Sequence, residues 1–464
     1  MTRIILTLLL FNLIFSIGNF ASPRHKIDLI LKSKHVVTMN SRFTIFEPGA
    51  VAIKGTRIVA VGTPREIDQM YFADNIEDMG EKWILPGLVN THCHIAMNLM
   101  RGVADDLKLM NWLKGYIFPL EAHIVDKRYV YEASLVGCAE LIKRGVTSVV
   151  DMYYFEDQVA HALKEAGLRG WLGETIIDFP APDFKTPSEA LAQTEKWMKQ
   201  YKDDSIVKII PSPHSCYTCS PQYLKKAKEL ANKYHTLFTL HLSENQQEVA
   251  TIKKKYGSTP VVHAWKSGIL DKNTLAAHCV ILSDEDFQIL KKSNTAVSHN
   301  PDSNTKLASG IAPVYKMLQA GIRVGLGTDG AVSNNRLDMF KAMDLASKLQ
   351  KISTGDASVM KAKRVVEMAT IGGARCIGAD STIGSLEAGK QADLIVLDLE
   401  GPSYEPVYDI YSTLVYTADS AAVVDSMVAG RWILKNRKFV NLSAERLEGI
   451  IRKYRSEIVN FLKR

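Results

Sequence analysis

From Leu85 to about residue 383 the chain repeats one theme eight times. A short apolar run ends in a polar or ionisable residue, and an amphipathic helical stretch follows. The runs lie in LPGLVNTHCH (85–94), GVTSVVDMYY (145–154), GLRGWLGETIID (167–178), SIVKIIPSPH (205–214), TLFTLHLSE (236–244), NTLAAHCV (273–280), NTAVSHNP (294–301) and RVGLGTDG (323–330). Helical stretches such as DQVAHALKEAG and SPQYLKKAKELANKY separate them. Near-continuous apolar strands joined by helices describe a parallel sheet covered on both faces. Eight such units suffice to close it into a (β/α)₈ barrel. The polar residues sit at the carboxyl ends of the strands, the end at which barrels of this kind carry their active sites.

The flanks follow a different rhythm. IDLILKSKHVVTM, GAVAIKGTRIVAVG and NIEDMG before the barrel, and GSLEAGKQADLIVLDL and AAVVDSMVAGRWILKNRKFV after it, alternate with a period of two between Gly, Pro and Asn signals. Neither set is complete alone. The expectation is an α/β protein with a TIM-like barrel over 85–383 and a small composite β-sandwich built from 27–84 and 384–440. Residues 441–464 then form a Ser-capped amphipathic helix.

At the N-terminus Arg3 precedes the apolar run 4–15, and small and polar residues follow. Residues 1–21 are expected to be a signal peptide, cleaved near Gly18 or Ala21, or else an N-terminal anchor. The run is short for a membrane span. Export to the periplasm or exterior follows from this reading. The six cysteines are scattered, with Cys216 and Cys219 in a lone C-x-x-C, so neither a disulfide framework nor a cysteine zinc site is indicated. The net charge of +7 is spread among acids and carries no nucleic-acid signature.

The chemistry gathers at the strand ends. His92 and His94 alternate on the first strand, so both imidazoles face one way and Cys93 the other. His241, His278 and Asp329 end the fifth, sixth and eighth. Imidazoles and a carboxylate suit Zn²⁺, with Fe²⁺ as the alternative, and a divalent ion held this way activates water for attack. Glu244, three residues beyond His241, is placed to move protons between that water and a substrate. The alternative is an N-cap or first-turn acid of the helix that SENQQEV starts.

LPGLVNTHCH, HLSE, AAHCV, SHNPDSNTKLASGIAPV, GLGTDGAVSNN and GSLEAGKQADLIVLD resemble the amidohydrolase superfamily. They are most similar to its branch of S-adenosylhomocysteine/methylthioadenosine deaminases and triazine chlorohydrolases. The resemblance covers residues 27 to about 439. It implies one metal on His92, His94, His241 and Asp329, with His278 orienting the attacking water, Glu244 shuttling protons and Asp329 assisting as base. It implies substrate contacts from Trp112, Glu121, His214 and Ser333. The superfamily's binuclear members use a carboxylated lysine, but Lys208 stands too early on its strand and reads as structural. In adenosine-type relatives the third strand offers an Arg to the ligand. Here Glu174 falls near that place, which argues against a carboxylate-bearing substrate. The expected activity is hydrolytic deamination of an aminated heterocycle of the purine nucleoside type. The expected substrate is a small molecule, and the protein is expected to be a homo-oligomer. A triazine-type chlorohydrolase and a non-catalytic metal- or solute-binding barrel are the alternatives, and the second should have lost Glu244, His278 or a ligand.

Overall fold

A computed structural model describes residues 24–463 other than Lys108. The expected signal or anchor segment, 1–21, lies outside the described residues. No described helix is long and apolar enough to cross a membrane.

The eight apolar runs become the strands β1 (Leu88–His94), β2 (Val146–Tyr153), β3 (Arg169–Ile176), β4 (Val207–Pro213), β5 (Phe238–Leu242), β6 (Thr274–His278), β7 (Ala296–His299) and β8 (Val324–Leu326, resuming at Asp329–Gly330). Neighbours pair in parallel from β1 to β4 and from β5 to β8. Two links close the ring. Asp329 and Gly330 pair with Cys93 and His94 of β1. Between β4 and β5, Ser215 bridges His241, and the His241 amide donates to the His214 carbonyl at 2.9 Å. Both closures fall at the carboxyl ends, so the residues that complete the barrel are also those expected to hold the metal.

The terminal segments meet as expected. Leu394–Leu397 pairs antiparallel with Trp83–Pro86, which pairs in parallel with His35–Val37, so one seven-stranded sheet draws on both flanks. A four-stranded sheet from the N-terminal flank packs on it, burying Leu31, Val51, Ile53, Ile84, Leu394 and Val396 in one core. Hydrophobic burial of this kind stabilises by about 25 cal/mol per Å² of apolar surface. A buried ion pair pins this domain to the barrel floor. Arg169, opening β3, reaches Asp393 through Nε at 2.8 Å and Nη2 at 3.2 Å, and Asp393 also accepts the Ala429 amide at 2.7 Å.

The C-terminal helix, Ala444–Leu462, is capped by Ser443 and lies on the barrel wall. There Tyr454 meets the fully buried Tyr129 edge to face at 4.9 Å. Cys216 and Cys219 are buried free thiols. Lys208 donates to the Lys202 carbonyl at 3.0 Å and takes no part in the site, as its early position on β4 implies.

Candidate metal centre and catalytic pocket

Three imidazoles and one carboxylate converge at the mouth of the barrel. His94 Nε2 stands 3.3 Å from His241 Nε2, and Asp329 Oδ1 lies 3.1 Å from His94 Nε2 and 3.6 Å from His92 Nε2. Tetrahedral ligands with metal–nitrogen bonds of about 2.0–2.1 Å are separated by about 3.3 Å, so this spacing matches donors around one ion. The His92 ring is fully buried, and neither of its nitrogens has a hydrogen-bond partner among the described residues. A buried polar group without a partner is costly, and a cation supplies the missing one. The set fits a divalent metal.

Backbone carbonyls aim two of the ligands. The Nδ1 of His94 is hydrogen-bonded to the Met152 carbonyl, and that of His241 to the His214 carbonyl at 2.8 Å. A carbonyl can only accept, so both Nδ1 atoms carry the hydrogen and both Nε2 lone pairs face the centre, the usual outer-shell device of metal histidines. Burial holds His92 down to about 4, hence neutral. Burial also opposes charge on His94, but the adjoining Asp329 carboxylate outweighs it and lifts His94 to about 9. A metal cation displaces that proton, because an imidazole must be deprotonated to bind.

The chain reaches this geometry through unusual backbone. Ser243, His278 and Asp329 have φ of 54°, 76° and 63°, the left-handed region that non-glycine residues seldom occupy. In that conformation the chain turns sharply at the strand end, and the side chains of His278 and Asp329 reach the pocket. Gly327 permits the approach from below. A Cβ there would lie 2.3 Å from Asn300 Oδ1 and 2.9 Å from the His92 amide nitrogen.

The centre floors a pocket with about 750 Å³ of empty space, lined by His94, Glu121, His214, His241, Glu244, His278, Asp329 and Ser333, with Trp112 on its wall. Every residue expected at the site is therefore in it except His92, which is sealed beneath. Burial raises the Glu244 carboxyl, while the neighbouring His278 and His94 oppose the rise. Glu248 holds the turn that presents it, accepting the Ser243 amide at 3.0 Å and the Glu244 amide at 2.7 Å. Glu121 accepts from the Tyr153 hydroxyl at 2.7 Å, and burial raises its carboxyl to about 7. Ser333 Oγ donates to Asp329 Oδ2 at 3.1 Å and the Gly330 carbonyl at 3.0 Å. His214 is held down to about 3 by burial, hence neutral, and its Nδ1 lies 3.0 Å from Thr218 Oγ1. Trp112 Nε1 donates to the Val103 carbonyl at 3.1 Å. A larger groove beside the C-terminal helix, with about 2160 Å³ of empty space, contains none of these groups.

One expectation is corrected. Glu174 does not face the ligand space. On β3 the neighbouring Thr175 lines the pocket, and alternation turns Glu174 outward. There it is fully buried and accepts the Glu156 amide at 3.2 Å. The charge-reversal argument drawn from it falls away. Sequence reasoning also missed Tyr153, Tyr154, Thr175 and Tyr217, which add hydroxyls to the pocket. The tyrosines of DMYY stand at and just beyond the end of β2, and that was the available signal.

Comparison with known proteins agrees with this architecture. The sequence profile of the amidohydrolase family matches residues 83–433. A protein of Syntrophus aciditrophicus (strain SB) called 5-methylthioadenosine/S-adenosylhomocysteine deaminase 1 is 44% identical over 437 residues, covering 94% of this chain and 99% of the relative. A 5'-deoxyadenosine deaminase of Methanosarcina acetivorans is 39% identical over 423 residues, covering 90% and 96%. Among solved structures, an adenosine deaminase from Xanthomonas campestris with bound zinc superposes with a TM-score of 0.93 at 33% identity, covering 94% of this chain and all of the other. Atrazine chlorohydrolase from Arthrobacter aurescens TC1 superposes with a TM-score of 0.85 at 23% identity, covering 92% and 99%, a likeness of fold alone. With the family profile spanning the whole barrel and relatives matched over nearly their full length, this chain belongs to the amidohydrolase family.

Proposed function

We propose that the protein deaminates the purine ring of an adenosine-type nucleoside by hydrolysis, with a zinc ion on His92, His94, His241 and Asp329. The observation that carries this reading is the company that centre keeps. A buried carboxyl, Glu244, and a second imidazole, His278, line the same pocket as the inward-facing Nε2 atoms. When bound, the metal supplies Lewis acidity that lowers the pKa of water. The chain's residues do the rest. Glu244 takes a proton from the attacking water and delivers it to a ring nitrogen, a task suited to a carboxyl that burial has moved toward neutrality. His278 orients the water. Asp329 assists as base, with one oxygen toward the histidines and the other held by Ser333. The near-neutral Glu121 and the pocket hydroxyls meet the sugar hydroxyls, and the indole of Trp112 packs on the substrate. The names of the relatives and the zinc in the adenosine deaminase support this reading.

With Glu174 turned away, no charge on β3 selects the substrate. Among the described pocket residues there is no Lys or Arg, whereas Met97, Leu113, Ile117, Phe118, Leu307 and Val332 add apolar wall. A carboxylate buried there would lack a counter-ion. Adenosine, 5'-deoxyadenosine and methylthioadenosine therefore fit better than S-adenosylhomocysteine. The test is ammonia release across these four nucleosides and an aminated triazine, with wild type and Glu244→Gln. The variant should keep its metal and lose about 10²–10⁴ in kcat, the usual effect of removing a general acid–base group. Retained turnover, or loss of the metal, would refute the assignment of Glu244. Fastest turnover of the triazine would refute the substrate class.

A further inference from the structure

We propose that Asn304 is a positioning residue that fixes the tautomer of His278, so that the imidazole presents an acceptor, and not a donor, to the reacting water. This rests on the reading of His278 given above.

A neutral imidazole carries one N–H and one lone pair, and whatever engages Nδ1 decides which of them Nε2 offers. Here Nδ1 lies 2.8 Å from the amide oxygen of Asn304. An amide oxygen only accepts, so the hydrogen sits on Nδ1 and Nε2 is left with its lone pair toward the pocket. Both side chains are 1% exposed, so solvent does not compete for either group. Asn304 is held from both ends of its backbone. Its amide donates to the Asn300 carbonyl at 3.0 Å, and its own carbonyl accepts from Ser309 at 2.9 Å. It stands on the short helix Pro301–Lys306, which starts directly after β7.

A rival is present. Asn300 Nδ2 lies 3.4 Å from the same Nδ1 and would favour the opposite tautomer. At 2.8 Å against 3.4 Å the Asn304 contact is the stronger hydrogen bond. The chemistry agrees with that outcome. Water becomes a nucleophile by giving up a proton, so the group beside it must accept. A donor at Nε2 would instead compete for the lone pair that attacks.

Three full-length variants test this: Asn304→Leu, Asn304→Asp and His278→Gln. Leu removes the acceptor. Asp has acceptors only and enforces the hydrogen on Nδ1 whichever way the wild-type amide is turned. Asn304→Leu should lower kcat by about 10–100-fold, as loss of an outer-shell partner usually does, with KM and metal content little changed. Asn304→Asp should restore most of that loss. Independently of turnover, ¹⁵N spectra of histidine-labelled protein should place the hydrogen on Nδ1 of His278, the signal being assigned by its absence in His278→Gln. Equal impairment in the Asp and Leu variants, or a hydrogen found on Nε2, would overturn the proposal, as would wild-type kcat in Asn304→Leu. His278→Gln turning over at the wild-type rate would overturn the underlying reading of His278, and the nitrogen spectrum keeps that failure distinct. If Asn304→Leu does not fold, the Asp variant and the spectrum of the wild type still decide.

Discussion

Removing the Asp393 carboxylate should destabilise the fold by about 4 kcal/mol, yet leave the chemistry of folded molecules alone. The side chains of Arg169 and Asp393 are 7% and 2% exposed, so the pair is nearly dry. Asp393→Ala deletes two charge-assisted hydrogen bonds to the guanidinium and leaves the Ala429 amide without its acceptor. Arg169 keeps only its bond to the Ser205 carbonyl, at 2.8 Å. At roughly 1.5–3 kcal/mol for each hydrogen bond to a charged group, the two lost bonds sum to about 3–6 kcal/mol. That agrees with the ~3–5 kcal/mol typical when one partner of a buried pair is removed. The expected cost is therefore about 4 kcal/mol, most of it from a stranded charge. Asp393→Leu combined with Arg169→Met removes both charges and should recover most of the loss, since apolar replacement of a whole buried pair is often neutral. Denaturant unfolding of the three proteins measures this, with kcat per bound metal as the functional control. A loss under about 1 kcal/mol for Asp393→Ala, or a double variant as unstable as the single one, would refute the reasoning.

Two further outcomes are expected. His92→Ala, purified without added metal, should lose metal and turnover together by elemental analysis and ammonia release, since His92 offers its buried nitrogens to nothing else. The Glu121 carboxyl stands near 7, above the ordinary 4.5, because burial disfavours its charge. A group raised in the folded state contributes stability that is full below the ordinary value and is lost as pH rises through the folded one. At about 1.4 kcal/mol per pH unit, up to roughly 3 kcal/mol should disappear between about pH 5 and 8. Glu121→Gln should remove that slope in denaturant midpoints taken across the range, and an unchanged slope would contradict it.

Much of this molecule is legible in its residues because barrel geometry converts spacing into position. His92 and His94 are alternate residues of one strand, so their common direction follows from the pleat. His241, His278 and Asp329 are strand-end residues, so their convergence follows once the ring closes. The end of a strand is legible in this way, but its phase is not. Nothing in WLGETIID says whether Glu174 or Thr175 faces inward, and a slip of one residue exchanged a pocket hydroxyl for a buried carboxyl on the far face. The carbonyls of Met152 and His214 were illegible for another reason. They belong to the backbone, and every residue has one. Tyr153 and Glu121 meet across 32 positions of chain, a contact that no local pattern encodes.

The left-handed residues at the strand ends show why these supports matter to function. Ser243, His278 and Asp329 each hold a backbone conformation that costs on the order of 1–3 kcal/mol for a non-glycine residue. Such a conformation persists only where the surroundings over-determine it. At Ser243 that constraint is Glu248, which receives the amides of Ser243 and Glu244, one on either side of the Ser243 Cα. At His278 it is Asn304 on the ring, and at Asp329 it is the amide of Gly330 together with the hydroxyl of Ser333. In each case a strand-end group carries the proposed chemistry, and a residue one to five positions on, or on the next unit, holds it in place. At His278 and Asp329 a glycine would relax the backbone but would carry no imidazole or carboxylate. At those two positions the strain is therefore inseparable from having a functional side chain at the turn, and the buried polar partners one layer out are what make it tolerable.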